Sequence, residues 1–193
     1  RLVYRGEAAK KDTRLLSAAF AAGLLQHAMN AEVNVVNALW LLEERGIELL
    51  EERTTDLGGF TSMITAEVIS GEKTSMASGT LFGNNLPRLV QKADCDLESY
   101  LDGTLVILQH HDAPGMIGRV GSIFGRHHVN IAHMSLGRKT SKPGGEAVAI
   151  LSLDSRPPEE AVAEVLAVAG VKKAWTVHLP PARQMPAWMG GES

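Results

Sequence analysis

Residues 104–138 read TLVILQHHDAPGMIGRVGSIFGRHHVNIAHMSLGR, and this stretch decides the fold of the second half of the chain. It opens with a continuous apolar run typical of a buried strand, and a Pro-Gly turn follows. A glycine-rich segment with helical spacing comes next, and an alternating segment that opens at Asn130 ends the stretch. The pattern predicts strand, helix, strand.

Downstream of this stretch the same kinds of element recur. The sequence predicts a strand over 146–154, a helix over 157–170 and a strand over 171–180. The order βαββαβ over residues 102–180 is that of ferredoxin-like folds, in which two helices cover one face of a four-stranded antiparallel sheet. The tail at 181–193 is expected to be an extension.

The first half of the chain predicts a separate α+β domain over residues 1–101. A strand at 2–7, a helix at 12–29 and a short helix that ends at Gly46 precede three runs rich in β-branched residues. Gly71-Glu72 is a hairpin signal between two of these runs. We expect an antiparallel sheet here, with Trp40 in its core. The chain opens inside a predicted strand and without Met, so we expect it to be a fragment.

Composition excludes several classes of function. The net charge is −3 and no basic run exceeds a pair, so neither nucleic acid nor membrane is an expected partner. No apolar run reaches the length that spans a bilayer. The single cysteine, Cys95, permits no internal disulfide and fits a cytoplasmic protein.

The glycines and histidines at 110–133 permit three interpretations. The glycine spacing is not G-x-G-x-x-G, so no dinucleotide fingerprint is present. His110 and His111 are adjacent on a strand and face opposite sides, and His127 and His128 diverge at a helix end, which disfavours a metal site.

The third interpretation is a cradle for an amino acid. The N-terminus of the predicted helix over 114–128, with Pro114 at its first position, attracts a carboxylate. Asp112 pairs with an ammonium group, and Asn130 orients either group. Gly115 and Gly118 permit close approach of the backbone. The alternative from the residues alone is that Asp112 caps the helix, Asn130 is a turn residue and the glycines serve packing. The two interpretations are equally open at this point.

The stretch HHDAPGMIGRVGSIFGRHHVNIAHMSLGR, followed by GGEAVAILSLD, resembles the ACT domain, a βαββαβ module that binds amino acids. The segments VYRGE, DTRLLSAAFAAGLL, VNVVNA and SGTLFGNNLPRLV resemble the intervening, allosteric substrate-binding domain of long-form D-3-phosphoglycerate dehydrogenases. The order of the two domains is that of the family, and the resemblance covers essentially the whole chain.

The resemblance implies a regulatory region of an oxidoreductase in serine biosynthesis. It implies that the effector L-serine binds at His110, Asp112 and Asn130, with Gly115 and Gly118 beside them, between paired ACT domains of a homo-oligomer. Ala113 stands where many relatives carry Arg. The catalytic and NAD-binding domains are expected upstream, so this chain holds no cofactor and no metal and catalyses nothing alone.

Two further implications stay open at this point. The intervening domain binds anions in some relatives, and Arg88 and Lys92 are the candidates here, with a solvated face as the alternative. Alternative functions are a region or subunit of an iron–sulfur L-serine dehydratase and a stand-alone amino-acid-binding ACT module.

Overall fold

The computed structural model describes residues 1–26, 28–29, 32–56, 58–83, 86–140 and 144–180. The contacts divide the chain into two compact units, one from Arg1 to Leu81 and the other from Phe82 onward. The predicted tail at 181–193 lies outside the described residues. The predicted domain boundary at 101–102 stays a prediction.

The first unit is an α+β structure, as predicted. Its elements are β1 (Leu2–Gly6), a short 3-10 helix (Glu7–Lys10), α1 (Arg14–Leu25), α2 (Ala38–Glu44), β2 (Glu51–Thr54), β3 (Ser62–Ser70) and β4 (Lys73–Phe82). The strands lie in the order β2-β1-β3-β4. The β3–β4 hairpin turns at Gly71, whose φ of +57° is left-handed.

The sheet of this unit is mixed and not wholly antiparallel. β1 pairs antiparallel with β3 but parallel with β2. Parallel neighbours need a long crossover connection, and α1 and α2 lie between β1 and β2 in the chain. The antiparallel expectation holds for the other pairs of this sheet that the structure describes in register.

Trp40 is not a core residue, contrary to the prediction. The buried stripe of α2 consists of Ala38, Leu41 and Leu42, which recur at i, i+3 and i+4. Trp40 falls outside that stripe and is 61% exposed. The stripe packs with Ala21, Ala22 and Leu25 of α1.

The second unit contains the predicted βαββαβ order, preceded by two strands that sequence analysis did not predict. Its elements are β5 (Leu86–Lys92), β6 (Cys95–Tyr100), β7 (Gly103–His111), α3 (Met116–Arg126), β8 (Ile131–Arg138), β9 (Glu146–Leu153), α4 (Glu159–Leu166) and β10 (Val171–Leu179). Four of these strands form an antiparallel sheet in the order β10-β7-β9-β8.

Both faces of this four-stranded sheet are covered. On one face Val106, Leu108 and Leu151 pack against Val120 and Phe124 of α3 and against α4. On the other face Leu105, Ile107, Val148 and Ile150 pack with Leu89 of β5 and with Cys95 and Leu97 of β6. Burial on both faces explains why β7 and β9 are continuous apolar runs and do not alternate.

The strand order fixes which residues share an end of the sheet. Ala147 of β9 pairs with His110 of β7 on one side and with Arg138 of β8 on the other. Leu153 pairs with Thr104 and with Ile131. The ends of β7 and β8 therefore lie at the same end of the sheet, with β9 between them, and β8 is an edge strand of this sheet.

Candidate functional site

The loop after β7 forms one wall of a cleft. Asp112 donates its backbone N–H to the carbonyl of Gly145 at 2.8 Å, which anchors the loop beside the entry to β9. The cleft has a volume of about 380 Å³, within the range of small-ligand pockets. It is lined by Asp112, Ala113, Pro114, Gly115, Met116, Ile117, Gly118, Leu136 and Arg138.

Asp112 is mostly buried and pairs with a cation. Its side chain is 13% exposed, and its Oδ2 lies 2.8 Å from Nε of Arg138. Among the described residues no donor makes an aligned hydrogen bond to this oxygen, so the contact with Arg138 is an ion pair only. The carboxylate keeps hydrogen-bonding capacity that the described residues do not use.

Asp112 does not cap α3. The N-cap is Gly115, whose φ of +78° is left-handed and favours glycine, and no side chain caps the helix. Pro114 therefore precedes the N-cap, contrary to the prediction that it opens the helix. The N–H of Met116 donates to the carbonyl of Ala113 at 3.2 Å, and the first-turn N–H groups that follow it give the cleft a partial positive charge.

The glycines of α3 do not serve packing inside the chain. A Cβ placed at Gly118, Gly121 or Gly125 would meet no described atom within 4 Å. Helix glycine costs about 1 kcal/mol relative to alanine. Their open side is available for an approach from outside the chain, and Gly118 is itself part of the cleft wall.

His110 lies apart from the cleft. It is 2% exposed, and its Nδ1 lies 2.9 Å from the carbonyl oxygen of His111. It lines a separate cavity of about 90 Å³ together with Cys95, Lys139, Glu146 and Lys172. Within the described chain its Nε2 has no hydrogen-bond partner. Its assignment to the effector stays a prediction.

Two ion pairs lie along the wall of the small cavity that His110 lines. Lys139 pairs with Asp94, which raises the pKa of the Lys139 ammonium. Lys172 donates to Glu146 and lowers the pKa of that carboxyl group. Burial raises the pKa of the Cys95 thiol, so the thiol is a packing group in its protonated form.

Asn130 lies at the opposite end of the sheet from Asp112. It immediately precedes β8, whereas Arg138 beside Asp112 ends β8, so about 25 Å separate the two positions along the strand. The amide of Asn130 donates to Oδ2 of Asp154 at 2.6 Å. The backbone carbonyl of Asn130 accepts from the backbone N–H of Asp154 at 3.2 Å, so Asp154 contacts Asn130 through both its backbone and its side chain.

One chain therefore brings together Asp112, Gly115 and Gly118 but neither His110 nor Asn130. Sequence analysis missed Arg138 and Asp154. The predicted split βαβ order could have indicated Arg138, because this order makes β7 and β8 run in the same direction on either side of β9. The residues that end these two strands therefore lie at the same edge.

Arg88 is engaged in contacts within its own unit. Its guanidinium carbon lies 4.0 Å from the ring centre of Tyr100 and 5.7 Å from that of Phe82. Burial, and then the charge of Lys173, lower the pKa of Lys92. The charge of Lys173 near Lys92 is compatible with the binding of an anion at this place. The assignment of Arg88 and Lys92 to such a site stays a prediction.

The described residues do not form three other kinds of site. They contain no group of three or more His, Cys, Asp or Glu side chains placed to hold a metal ion. The loop before α3 lacks the G-x-G-x-x-G of dinucleotide-binding folds, and both strands bonded directly to β7 are antiparallel to it, unlike the parallel sheet of those folds. Within the same residues no helix is both long and apolar enough to cross a membrane.

Comparison with known proteins gives matches in both halves. Residues 1–92 match the D-3-phosphoglycerate dehydrogenase intervening domain, and residues 104–170 match the ACT domain. The chain is 36% identical to a D-3-phosphoglycerate dehydrogenase of Methanocaldococcus jannaschii over 179 residues, which are 92% of this chain and 33% of the relative.

Two other relatives carry the same name. A D-3-phosphoglycerate dehydrogenase of Archaeoglobus fulgidus is 34% identical over 90% of this chain and 33% of its own length. One of Bacillus subtilis is 33% identical over 92% of this chain and 33% of its own length. The chain thus spans about a third of the length of the relatives it matches.

Proposed function

We propose that the chain is an L-serine-binding regulatory region of a D-3-phosphoglycerate dehydrogenase. The premise is that the chain belongs to this family over its intervening and ACT domains. The match of residues 1–92 to a dehydrogenase domain favours this function over a region of an L-serine dehydratase or a stand-alone ACT module.

The observation that carries the proposal is the cleft at Asp112. It places a mostly buried carboxylate with unused hydrogen-bonding capacity beside the uncapped N-terminus of α3. An α-amino acid offers the two complementary groups, an ammonium for Asp112 and a carboxylate for the helix N-terminus. Gly115 and Gly118 let the ligand approach the backbone closely.

Asn130 reaches the ligand only from a second copy of the chain. An antiparallel pairing of the edge strand β8 with its own copy, about a twofold axis, sets the start of one strand beside the end of the other. Asn130 of the partner subunit then lies near Arg138 and Asp112. The open glycine side of α3 supports such an approach of two copies.

Regulation follows if the two copies have more than one arrangement. Serine that bridges two copies favours the arrangement in which Asp112 and the partner's Asn130 both contact it. The ligand shifts the equilibrium only by its difference in affinity for the two arrangements. In our proposal this shift controls the dehydrogenase activity of the whole enzyme.

Catalysis belongs, in this proposal, to a part of the protein outside these 193 residues. The relatives are about three times as long as the matched segment, and the loop before α3 lacks the G-x-G-x-x-G of NAD-binding folds. We place NAD and the oxidation of 3-phosphoglycerate in that part. We also propose a cytoplasmic location, which a single buried, unpaired cysteine supports.

Calorimetric titration of L-serine into this chain tests the proposal. We expect saturable binding that glycine and L-valine do not reproduce, and its loss in Asp112→Ala. Glu160→Ala, an exposed carboxylate on α4 remote from the cleft, is the matched control and should bind like the wild type. A folded wild-type chain that gives no saturable heat with serine would refute the proposal.

A further inference from the structure

The cleft contains one cationic side chain, Arg138, that was not among the site residues predicted from the sequence. Arg138 ends β8, and among the described lining residues it is the one basic side chain. It lies against the only acidic side chain of that lining, Asp112. The cleft therefore holds one negative and one positive group side by side, as a zwitterionic ligand does.

We propose that Arg138 recognises the carboxylate of the ligand, so that Asp112 and Arg138 together select zwitterionic α-amino acids. This inference rests on the proposed function, and it assigns a specificity-determining role to Arg138 that the helix N-terminus alone does not fill. A planar guanidinium binds a carboxylate through two parallel hydrogen bonds.

The ion pair between the two residues is suited to exchange. The Arg138 side chain is 46% exposed, so the cationic half of the pair is accessible to a ligand. Oδ2 of Asp112 receives no aligned hydrogen bond from the described residues, so the resting contact leaves bonding capacity unused. A ligand that enters between the two side chains gains aligned hydrogen bonds on both sides.

Charge balance makes the exchange selective. Opening the pair without a ligand leaves the buried Asp112 carboxylate uncompensated, which is unfavourable. An α-amino acid restores both pairs, because its ammonium meets Asp112 and its carboxylate meets Arg138. A ligand that carries only an ammonium leaves Arg138 without its partner, and a ligand that carries only a carboxylate is repelled by Asp112.

The test compares L-serine with L-serinamide, which keeps the ammonium and hydroxyl groups but has no carboxylate. Binding is followed by NMR titration of the chain, which reaches millimolar dissociation constants. The variants are Arg138→Met and Arg138→Lys. The matched control is Arg126→Met, which removes an arginine and its ion pair with Glu164 at the far end of α3. Thermal unfolding establishes that each variant is folded.

We expect the wild type to bind serinamide at least about tenfold more weakly than serine. Arg138→Met should lower the affinity for serine by a similar factor and leave that for serinamide unchanged, so that the two affinities converge. The affinity of Arg138→Lys for serine should be intermediate, because lysine keeps the charge but not the paired donors of the planar guanidinium. Arg126→Met should bind like the wild type.

Two outcomes overturn the inference while the proposed function stands. One is serine binding by Arg138→Met at wild-type affinity, in which case the helix N-terminus alone holds the carboxylate. The other is an equal loss of serine and serinamide binding, in which case Arg138 only shapes the cleft. A wild-type chain that does not bind serine refutes both proposals.

Discussion

Gly137 lies where β8 passes against the backbone of β6. A Cβ at this position would come within 2.5 Å of the carbonyl oxygen of Asp96 and 3.1 Å of Cβ of Leu97. The first contact is with backbone, which cannot rotate away as a side chain does. Glycine at 137 is therefore required by the close approach of the two strands.

We expect Gly137→Ala to lower the free energy of unfolding by about 1–3 kcal/mol through overpacking. Gly23→Ala is the control, because Gly23 lies inside α1 and a Cβ there meets no described atom within 4 Å. That exchange should be stabilising by about 0.5–1 kcal/mol. Urea unfolding followed by circular dichroism measures both, and an unchanged midpoint for Gly137→Ala would contradict the close approach.

Cys95 provides a second test at this scale. The thiol is 3% exposed, and burial, followed by the charge of Asp94, raises its pKa. We expect a thiol reagent to label the native chain at least about 100-fold more slowly than the urea-unfolded chain. Raising the pH from about 7 to about 9 should speed labelling of the unfolded chain, because a larger fraction of its thiol is then ionised. Equally fast labelling of the native chain would contradict the described packing.

At the scale of elements, α3 and α4 are joined by one carboxylate. Glu164 of α4 lies 3.0 Å from Nε2 of His127, and its other oxygen accepts from Nη2 of Arg126 at 2.8 Å. The hydrogen bond with His127, and then that with Arg126, hold the pKa of Glu164 below its ordinary value of 4.5. A carboxyl whose pKa is lowered on folding stabilises the fold above its unfolded pKa.

We therefore expect Glu164→Gln to be less stable than the wild type at pH 7. The difference should shrink as the pH falls below 4.5 and disappear once the native carboxyl is protonated. Glu160→Gln, an exposed carboxylate one turn earlier on α4, should show a smaller dependence. Urea unfolding at several pH values measures this, and a difference that persists at the acid end would exclude the ionic contribution.

Most of the second unit's elements could be predicted from the sequence, for a physical reason. β7 and β9 are apolar runs bounded by Gly and Pro signals, and α3 and α4 have helical spacing. β5 was missed because Pro87 interrupts its pattern, and β6 because Asp96 and Glu98 make it polar. The parallel pairing of β1 with β2 depends on long-range contacts that periodicity does not encode.

The candidate site was predicted only in part. Asp112, Gly115 and Gly118 are close in sequence and lie on one cleft. Arg138 was missed, because it is distant in sequence and comes to Asp112 only through the strand order. Trp40 shows the opposite error, since a large apolar side chain was assigned to the core although the stripe of α2 excludes it.

Across the whole molecule, the proposed serine site requires two copies of the chain. Met134 and Leu136 are exposed apolar side chains on the edge strand β8, 38% and 39% accessible. Large apolar groups on an edge strand favour pairing with another chain. The proposed effector site is complete only when this pairing occurs.

We expect Met134→Lys to shift the chain from dimer to monomer, because two lysines would approach across the twofold axis. Leu166→Lys, an equivalent exchange at an exposed leucine of α4, should leave the dimer intact. Sedimentation velocity over a range of concentrations measures the change. If Met134→Lys remains dimeric with the wild-type sedimentation coefficient, the pairing is not through β8.

Complementation between Asp112→Ala and Asn130→Ala distinguishes a serine site shared by two copies from a site within one copy. Each variant alone should fail to bind L-serine, since every site needs Asp112 from one copy and Asn130 from the other. After mixing and re-equilibration, half of the pairs are mixed, and each mixed pair has one intact site. Calorimetry should then recover about a quarter of the wild-type number of sites. No recovery in demonstrably mixed dimers, or undiminished binding by Asn130→Ala alone, would contradict a serine site shared between two copies.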